Sequence, residues 1–356
     1  MKIPQNMWHP VLLSKELGKR PIKGLRFGLA FVFWRDDSGI AHAFPDRCPH
    51  LGASLSQGKV RDGKLICPFH GFEYLASGEC THIPANGSQS RIPVGMACTR
   101  FESIEAHGFI WMWVGKEPVS GTPAYFSEIE QGFRTHDTVI DACVNYSRAI
   151  ENQLDAAHLP FVHRTTIGAG RKTAVDGPYI QANERGIDSW VLNRIDNGTS
   201  PATQAELGER SAQCQPSLRL LYPGQWLLNI SGRLKNVIAF VPIDEHTTRF
   251  YLRTYHKVNI PVIGYAYGLV LQYVNKIILR QDLKVIVNIT PTFSPDAVGD
   301  RLIGADRAVS AYRRWLTAHA DTFVQNPPEQ KLKTPPESLQ QTADDKSSEF
   351  VYSENQ

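Results

Sequence analysis

Between residues 24 and 115 apolar and polar positions alternate in short runs separated by turn residues. "LRFGLAFVFWRDDSGIAHAF" alternates, turns at Asp37–Gly39 and resumes, and "GFIWMWVGKEP" is an aromatic run that ends in Gly115 and Pro118. Period-two patterning with regular punctuation predicts a small all-β unit. Near residue 119 the texture changes. "AIENQLDAAHLPFVH" has helical spacing, and "IDSWVLNRI", "LRLLYPGQWLLNISG", "NVIAFVPI" and "TRFYLRTYHKV" read as strands of a sheet. From Pro261 to about Ile289 apolar residues recur at helical spacing, with Lys276, Arg280 and Lys284 on one side. A last helix is predicted over "ADRAVSAYRRWLTAHA". The pattern predicts an α+β chain: a small all-β domain over 1–118, then an α+β domain with an antiparallel sheet flanked by helices over 119–325. Residues 326–356 are polar and Pro-rich and are expected to form an extended or disordered arm.

Composition narrows the classes. The chain has 356 residues, 42% hydrophobic and 21% charged, enough for ordinary cores. A net charge of +3 gives no basic surface of the kind nucleic acid requires. The N-terminus lacks a basic segment followed by a long apolar one, so no signal peptide is expected. "IPVIGYAYGLVLQYVNKIIL" is interrupted by Gln272, Asn275 and Lys276, which argues against a membrane span. Six cysteines are too few for a disulfide scaffold, and a reducing, cytoplasmic setting is expected. Without secretion, the sequons at Asn86 and Asn197 read as Asn-Gly hairpin turns.

Candidate chemistry begins in "CPHLGASLSQGKVRDGKLICPFHGF". Cys48 and His50 form one pair, Cys67 and His70 a second, and each pair is followed by a glycine, Gly52 and Gly71. Two Cys and two His can hold a tetrahedral structural zinc. They can also hold a Rieske [2Fe–2S] cluster, with two thiolates on one iron and two imidazoles on the other. The matched Cys-x-His and Cys-x-x-His loops, each with Pro beside its Cys, favour the cluster. Cys80, Cys98, Cys143 and Cys214 have no paired His and read as buried small hydrophobes. His42 and His82 fit neither loop and read as structural.

A second constellation lies in "ENQLDAAHLPFVH". Two histidines and a carboxylate on Fe(II) leave positions open for O₂ beside a substrate. His158 and His163 are five apart, too far round one straight helix to share a metal. Pro160 between them is expected to bend or end the helix and bring them together. Asp155 precedes His158 by three residues, so its carboxylate can reach the far nitrogen of that ring.

Together these motifs resemble the oxygenase component of the Rieske non-haem iron oxygenases, a family of ring-hydroxylating dioxygenases, monooxygenases and demethylases. The resemblance covers about residues 8–320, in the family's order: "WHPVLLSKEL" as its opening, "CPHLGASLSQG" and "CPFHGFEY" as its cluster loops, and "NQLDAAHLPFVH" as its iron helix. Leu51 stands where many members have Arg, and Phe72 where many have Trp. The resemblance implies a third iron ligand far downstream, with Asp282, Asp296, Asp300 and Asp306 as candidates. "GADRAVSAYRRWL" resembles the helix that carries it in single-subunit members, so Asp306 is the expected ligand, with a plain helix-capping role as its alternative. It further implies that Asp155 bridges His70 of one subunit to His158 of the next in a homotrimer. Electrons are expected from NAD(P)H through a ferredoxin or flavin reductase, and the substrate is expected to be a small organic molecule, aromatic or cyclic. Monooxygenation or demethylation is favoured over dioxygenation. The alternatives are an electron carrier or a non-catalytic subunit.

Overall fold

The alternating N-terminal region forms three small antiparallel sheets in the computed structural model, which describes residues 1–89, 91–129 and 132–323. The arm expected over 326–356 lies outside the described residues. One sheet pairs Ser103–Ala106, Phe109–Val114 and Met7–Leu13; a second pairs Ile22–Arg26, Leu29–Arg35 and Ala41–Pro45. The third pairs Lys59–Arg61, Lys64–Ile66, Glu73–Tyr74 and Cys80–His82. The turn read at Asp37–Gly39 is present: Asp36 Oδ1 accepts the N–H groups of Ser38 and Ile40, and Gly39 takes φ +80°. Phe109–Val114 is buried at every position, because the strand has two apolar neighbours. Ile110, Met112 and Val114 join the main core, while Phe109 and Trp111 pack with Val241 and Tyr251 of the next sheet.

The second half is a seven-stranded antiparallel sheet in the order Arg134–Ala142, Thr248–His256, Leu234–Pro242, Gln225–Ser231, Leu218–Leu221, Gly186–Arg194 and Ala174–Asn183. Thr248–His256 is buried almost throughout, with partners on both sides. The first strand was not predicted because "RTHDTVIDA" is polar. It pairs through charge: Arg253 Nε lies 2.6 Å from Asp137, and Arg249 Nε 2.6 Å from Asp141.

Among the described residues there are five α-helices: α1 Tyr146–Leu154, α2 Leu159–Val162, α3 Gln204–Ser211, α4 Pro261–Ile286 and α5 Arg307–His319. Helix α1 packs on Leu234–Pro242, and α4 lies along Arg134–Ala142. Strand Lys2–Pro4 pairs with Ala320–Thr322, so the start of the chain is held by the segment that follows α5. Neither sequon forms a hairpin turn. Asn86 ends a short 3-10 turn, and Asn197 lies in the loop before α3, each followed by a glycine at positive φ.

Candidate metal centres

The two Cys/His loops fold on the same backbone plan. The Cys48 N–H donates to Ala53 O (2.8 Å) and the Gly52 N–H returns to Cys48 O (2.9 Å). In the second loop the Cys67 N–H donates to Phe72 O (2.9 Å) and the Gly71 N–H returns to Cys67 O (3.1 Å). Gly52 and Gly71 close these turns at φ +77° and +73°, where an L side chain is strained. The plan buries both thiols and turns the imidazoles outward, His50 half-buried and His70 exposed, with ring centroids 4.8 Å apart. Phe72 stacks on His50 at 4.7 Å. Leu51 and Phe69 stand exposed at the loop tips.

Burial pushes the Cys67 thiol up, and neighbouring Cys48 adds to this, against the backbone N–H groups of Phe69 and His70 that favour the thiolate. The Tyr74 hydroxyl lies 3.1 Å from Cys48 Sγ. A buried thiol raised as Cys67 is ionises readily only when something positive binds it, so the donor set fits a cationic cluster core. Among the described residues, the only group of three or more His, Cys, Asp or Glu side chains whose ligand atoms all lie within 4.8 Å of one another is elsewhere. Cys80 and Cys98 are buried as expected, but Cys143 and Cys214 are exposed, which corrects their reading as core residues. His42 pairs with Asp36 at 2.9 Å, a structural contact.

The convergent group is His158, His163 and Asp282, whose ligand atoms lie within 4.8 Å of one another. The chain reaches this point differently from the expectation. Helix α1 does not run on to a bend at Pro160; it ends at Asp155, which is extended (φ −84°, ψ 130°). Asp155 Oδ1 accepts the Ala157 N–H at 2.6 Å, and that local bond turns the chain. Pro160 sits in the first turn of α2, where its missing N–H costs nothing. The break places both imidazoles on one side, ring centroids 5.2 Å apart. Helix α1 itself is anchored by a buried cluster: Glu151 meets Arg148 at 2.8 Å, Arg313 of α5 and the Ser294 hydroxyl, and Arg148 donates to Pro291 O.

Asp282 Oδ1 lies 3.0 Å from His163 Nε2 and 3.4 Å from His158 Nε2, yet it is buried with no hydrogen bond of proper geometry. Ligand atoms about 2.1 Å from one ion and at right angles to each other are about 3 Å apart, so the spacing fits three adjacent positions on a metal. The outer atoms are held as such a site requires. His163 Nδ1 is 2.9 Å from Gln281 Oε1, which also accepts from Thr166 Oγ1; this assigns the proton to Nδ1 and the lone pair to Nε2. His158 Nδ1 is 3.3 Å from Asp155 Oδ2, and Gln153 Nε2 donates to Asp282 Oδ2. Burial works to lower His158, but the Asp155 and Asp282 carboxylates beside it outweigh that and hold the ring at about 9. Burial works to raise Asp282, but His158, His163 and Asn152 hold it well below the usual carboxylate range.

Asp306, the expected third ligand, does not join the histidines. Its Oδ2 accepts the Ile303 N–H at 2.8 Å across the 3-10 turn Gly304–Asp306, and it makes no side-chain cap bond to α5 itself. Asp300 pairs with Arg313 at 2.8 Å, and Asp296 lies in a 3-10 turn. Helix α5 spends its buried face, Ala308, Ala311, Tyr312 and Leu316, on the core. A signal for Asp282 was present: it is the only acid between Pro261 and Ile289, and it falls on the buried row Gly264, Gly268, Asn275, Leu279, Asp282 and Ile286.

Residues 7–98 match the Rieske [2Fe-2S] domain, and residues 142–322 match the vanillate O-demethylase oxygenase C-terminal domain. A putative toluene-4-sulfonate monooxygenase system iron-sulfur subunit of Comamonas testosteroni is 32% identical over 53% of this chain and 56% of that protein. The 4beta-methylsterol monooxygenase of Methylococcus capsulatus is 29% identical over 73% of this chain and 71% of its own. Against the first curated relatives as a group, the chain spans about half of their length or less. In fold, it is similar to a crystal structure of dicamba monooxygenase bound to dicamba, with a TM-score of 0.71 over 89% of this chain and 98% of that one at 17% identity. The C-terminal match alone spans about half the sequence and follows a Rieske domain: the chain belongs to the Rieske oxygenases of the vanillate O-demethylase type.

Proposed function

We propose that this protein is an oxygenase component that takes electrons through a Rieske [2Fe–2S] cluster held by Cys48, His50, Cys67 and His70. It uses O₂ at a mononuclear Fe(II) held by His158, His163 and Asp282. The observation that carries this reading is Asp282 Oδ1, buried without a hydrogen bond and facing two imidazole nitrogens. When bound, such an iron supplies O₂ activation beside a substrate. The chain's own residues fix the geometry. Gln281 keeps the proton on His163 Nδ1, and Asp155 holds His158 from its outer side. A cleft of about 460 Å³ beside α2, lined by Pro160, Arg164, Arg171 and Ile195 among others, has the size of a small-molecule site.

The substrate is a small organic molecule, aromatic or cyclic. Monooxygenation or demethylation is favoured over dioxygenation, in keeping with the C-terminal family and with relatives named for toluenesulfonate, methylsterol and dicamba. Residues 1–118 receive electrons from a ferredoxin or flavin reductase fed by NAD(P)H, and residues 119–325 carry out the chemistry. The working form is a homotrimer in which Asp155 links His158 to His70 of a neighbouring copy. Both ends of that link are open to a second chain, since His70 is exposed and the Asp155 side chain retains 27% of its surface. Six free thiols accord with a cytoplasmic setting.

The test is metal content with a product screen. Iron-loaded protein is expected to hold three irons per chain and, with a surrogate reductase, to yield products that carry one added oxygen or lack a methyl group by mass spectrometry. Two irons per chain with no oxygenated product from any aromatic or cyclic substrate would make it an electron carrier.

A further inference from the structure

Helix α4 has its polarity reversed. The reversal holds over its first half: the buried face carries Gly264, Gly268 and Asn275, and only then Leu279, Asp282 and Ile286. Gly264 and Gly268 let it lie close, since a Cβ at either would strike the Val258 carbonyl or the His136 ring. Asn275 donates to Thr254 Oγ1 at 2.7 Å and Gln272 donates to Asp137 O, so residues that interrupt the apolar run in sequence are turned inward. The outer face is apolar instead: Val262 is 79% exposed, Tyr265 60%, Val270 60% and Tyr273 66%. No charged residue occurs from Val258 to Asn275.

A single row runs down this outer face in steps of three or four: Val262, Tyr265, Leu269, Tyr273, then Lys276, Arg280 and Lys284. It is apolar for its first half and cationic for its second. The one acid of the helix, Asp282, is buried on the opposite side. By length and composition α4 could cross a membrane, but one flank is packed along Arg134–Ala142, so it lies against the protein instead.

We propose that the outer face of α4 docks on an anionic phospholipid bilayer. Val262, Ile263, Leu269 and Val270 would enter the acyl boundary, the Tyr265 and Tyr273 hydroxyls would sit at headgroup level, and Lys276, Arg280 and Lys284 would meet lipid phosphates. Charge selects this occupant. A bilayer takes an apolar half and a cationic half at once. A second copy of the same face would have to bury three cations against apolar or cationic surface. A scattered set of exposed apolar residues needs no explanation, but a contiguous row along one helix does.

The experiment is flotation of the full chain, metal-loaded, with vesicles of phosphatidylcholine alone or of phosphatidylcholine and phosphatidylglycerol at about 7:3. Binding to the anionic vesicles is expected to exceed binding to the neutral ones by on the order of 100-fold at low salt, from about three cations at the surface. Val262→Asn/Val270→Asn is expected to lose most binding to both, and Lys276→Gln to lose only part of the anionic preference. Iron content and the cluster spectrum of each variant should match the parent, which shows that the fold is intact and separates this result from the proposed oxygenase chemistry. Parent protein that floats with neither vesicle overturns the proposal. So does a Val262→Asn/Val270→Asn variant that floats like the parent, or one whose only change is a lower mass in sedimentation velocity, which would assign the face to contact between copies.

Discussion

The two candidate metal centres are built by opposite means. At the Cys/His loops the backbone sets the geometry: two turns repeat the same pair of hydrogen bonds, each closed by a glycine at positive φ. At the second centre the backbone supplies a broken helix and side chains do the positioning, with Gln281, Gln153 and Asp155 each holding one of the three convergent groups. A site made of turns is local and needs few outside residues. One made of side chains draws on α1, α2 and α4 together and depends on whatever holds those helices, including the buried Glu151 cluster.

The largest expected effect tests whether the centres are separable at all. His158→Ala, His163→Ala or Asp282→Ala should remove the mononuclear iron and all turnover while the Rieske electron paramagnetic resonance signal persists. Cys48→Ala or Cys67→Ala should abolish that signal. Asp306→Ala should keep full iron and cost only the exposed bond to the Ile303 N–H, at most about 1 kcal/mol of unfolding free energy in a denaturation experiment. Iron lost from Asp306→Ala and retained in Asp282→Ala would reverse the ligand assignment.

Next in size are the residues that hold the ligands. Gln281→Ala should weaken iron affinity at the second centre by about 10- to 100-fold, as measured by competition with a chelator, with no change in the cluster spectrum. An unaltered affinity would mean that packing alone orients His163. The smallest effect belongs to the loops. Gly71→Ala forces a left-handed conformation on a Cβ-bearing residue, at about 1–2 kcal/mol. It should lower cluster occupancy on mild heating while leaving the mononuclear iron untouched.

This contrast also decides what could be read in advance. The two Cys/His loops were legible as a matched pair because their spacing is short and the turns that present them need Pro and Gly at fixed places. His158, His163 and Asp155 were legible as a group, but the break that unites them was placed at Pro160, when a side-chain-to-backbone bond at Asp155 makes it. Asp282 lies 119 residues beyond His163, and only the packing of α4 brings it there. Asp306 was attractive for its place at a helix start, a position that favours an acid whether or not metal is near. Helix α4 misled in another way. Apolar residues on a helix are ordinarily read as its buried face, and nothing in a single sequence reveals that glycines and amides have taken that face instead.

Nine residues separate Tyr273 from Asp282, about 14 Å along the axis of α4. If the proposed lipid contact holds, it shares one rigid rod with the proposed iron ligand, and the protein would meet its substrate in two dimensions. For a compound dissolved in the bilayer, the quantity that governs rate is its mole fraction in lipid. Adding more vesicles at constant total substrate should therefore slow the reaction by surface dilution, and a KM expressed per litre would have no fixed value.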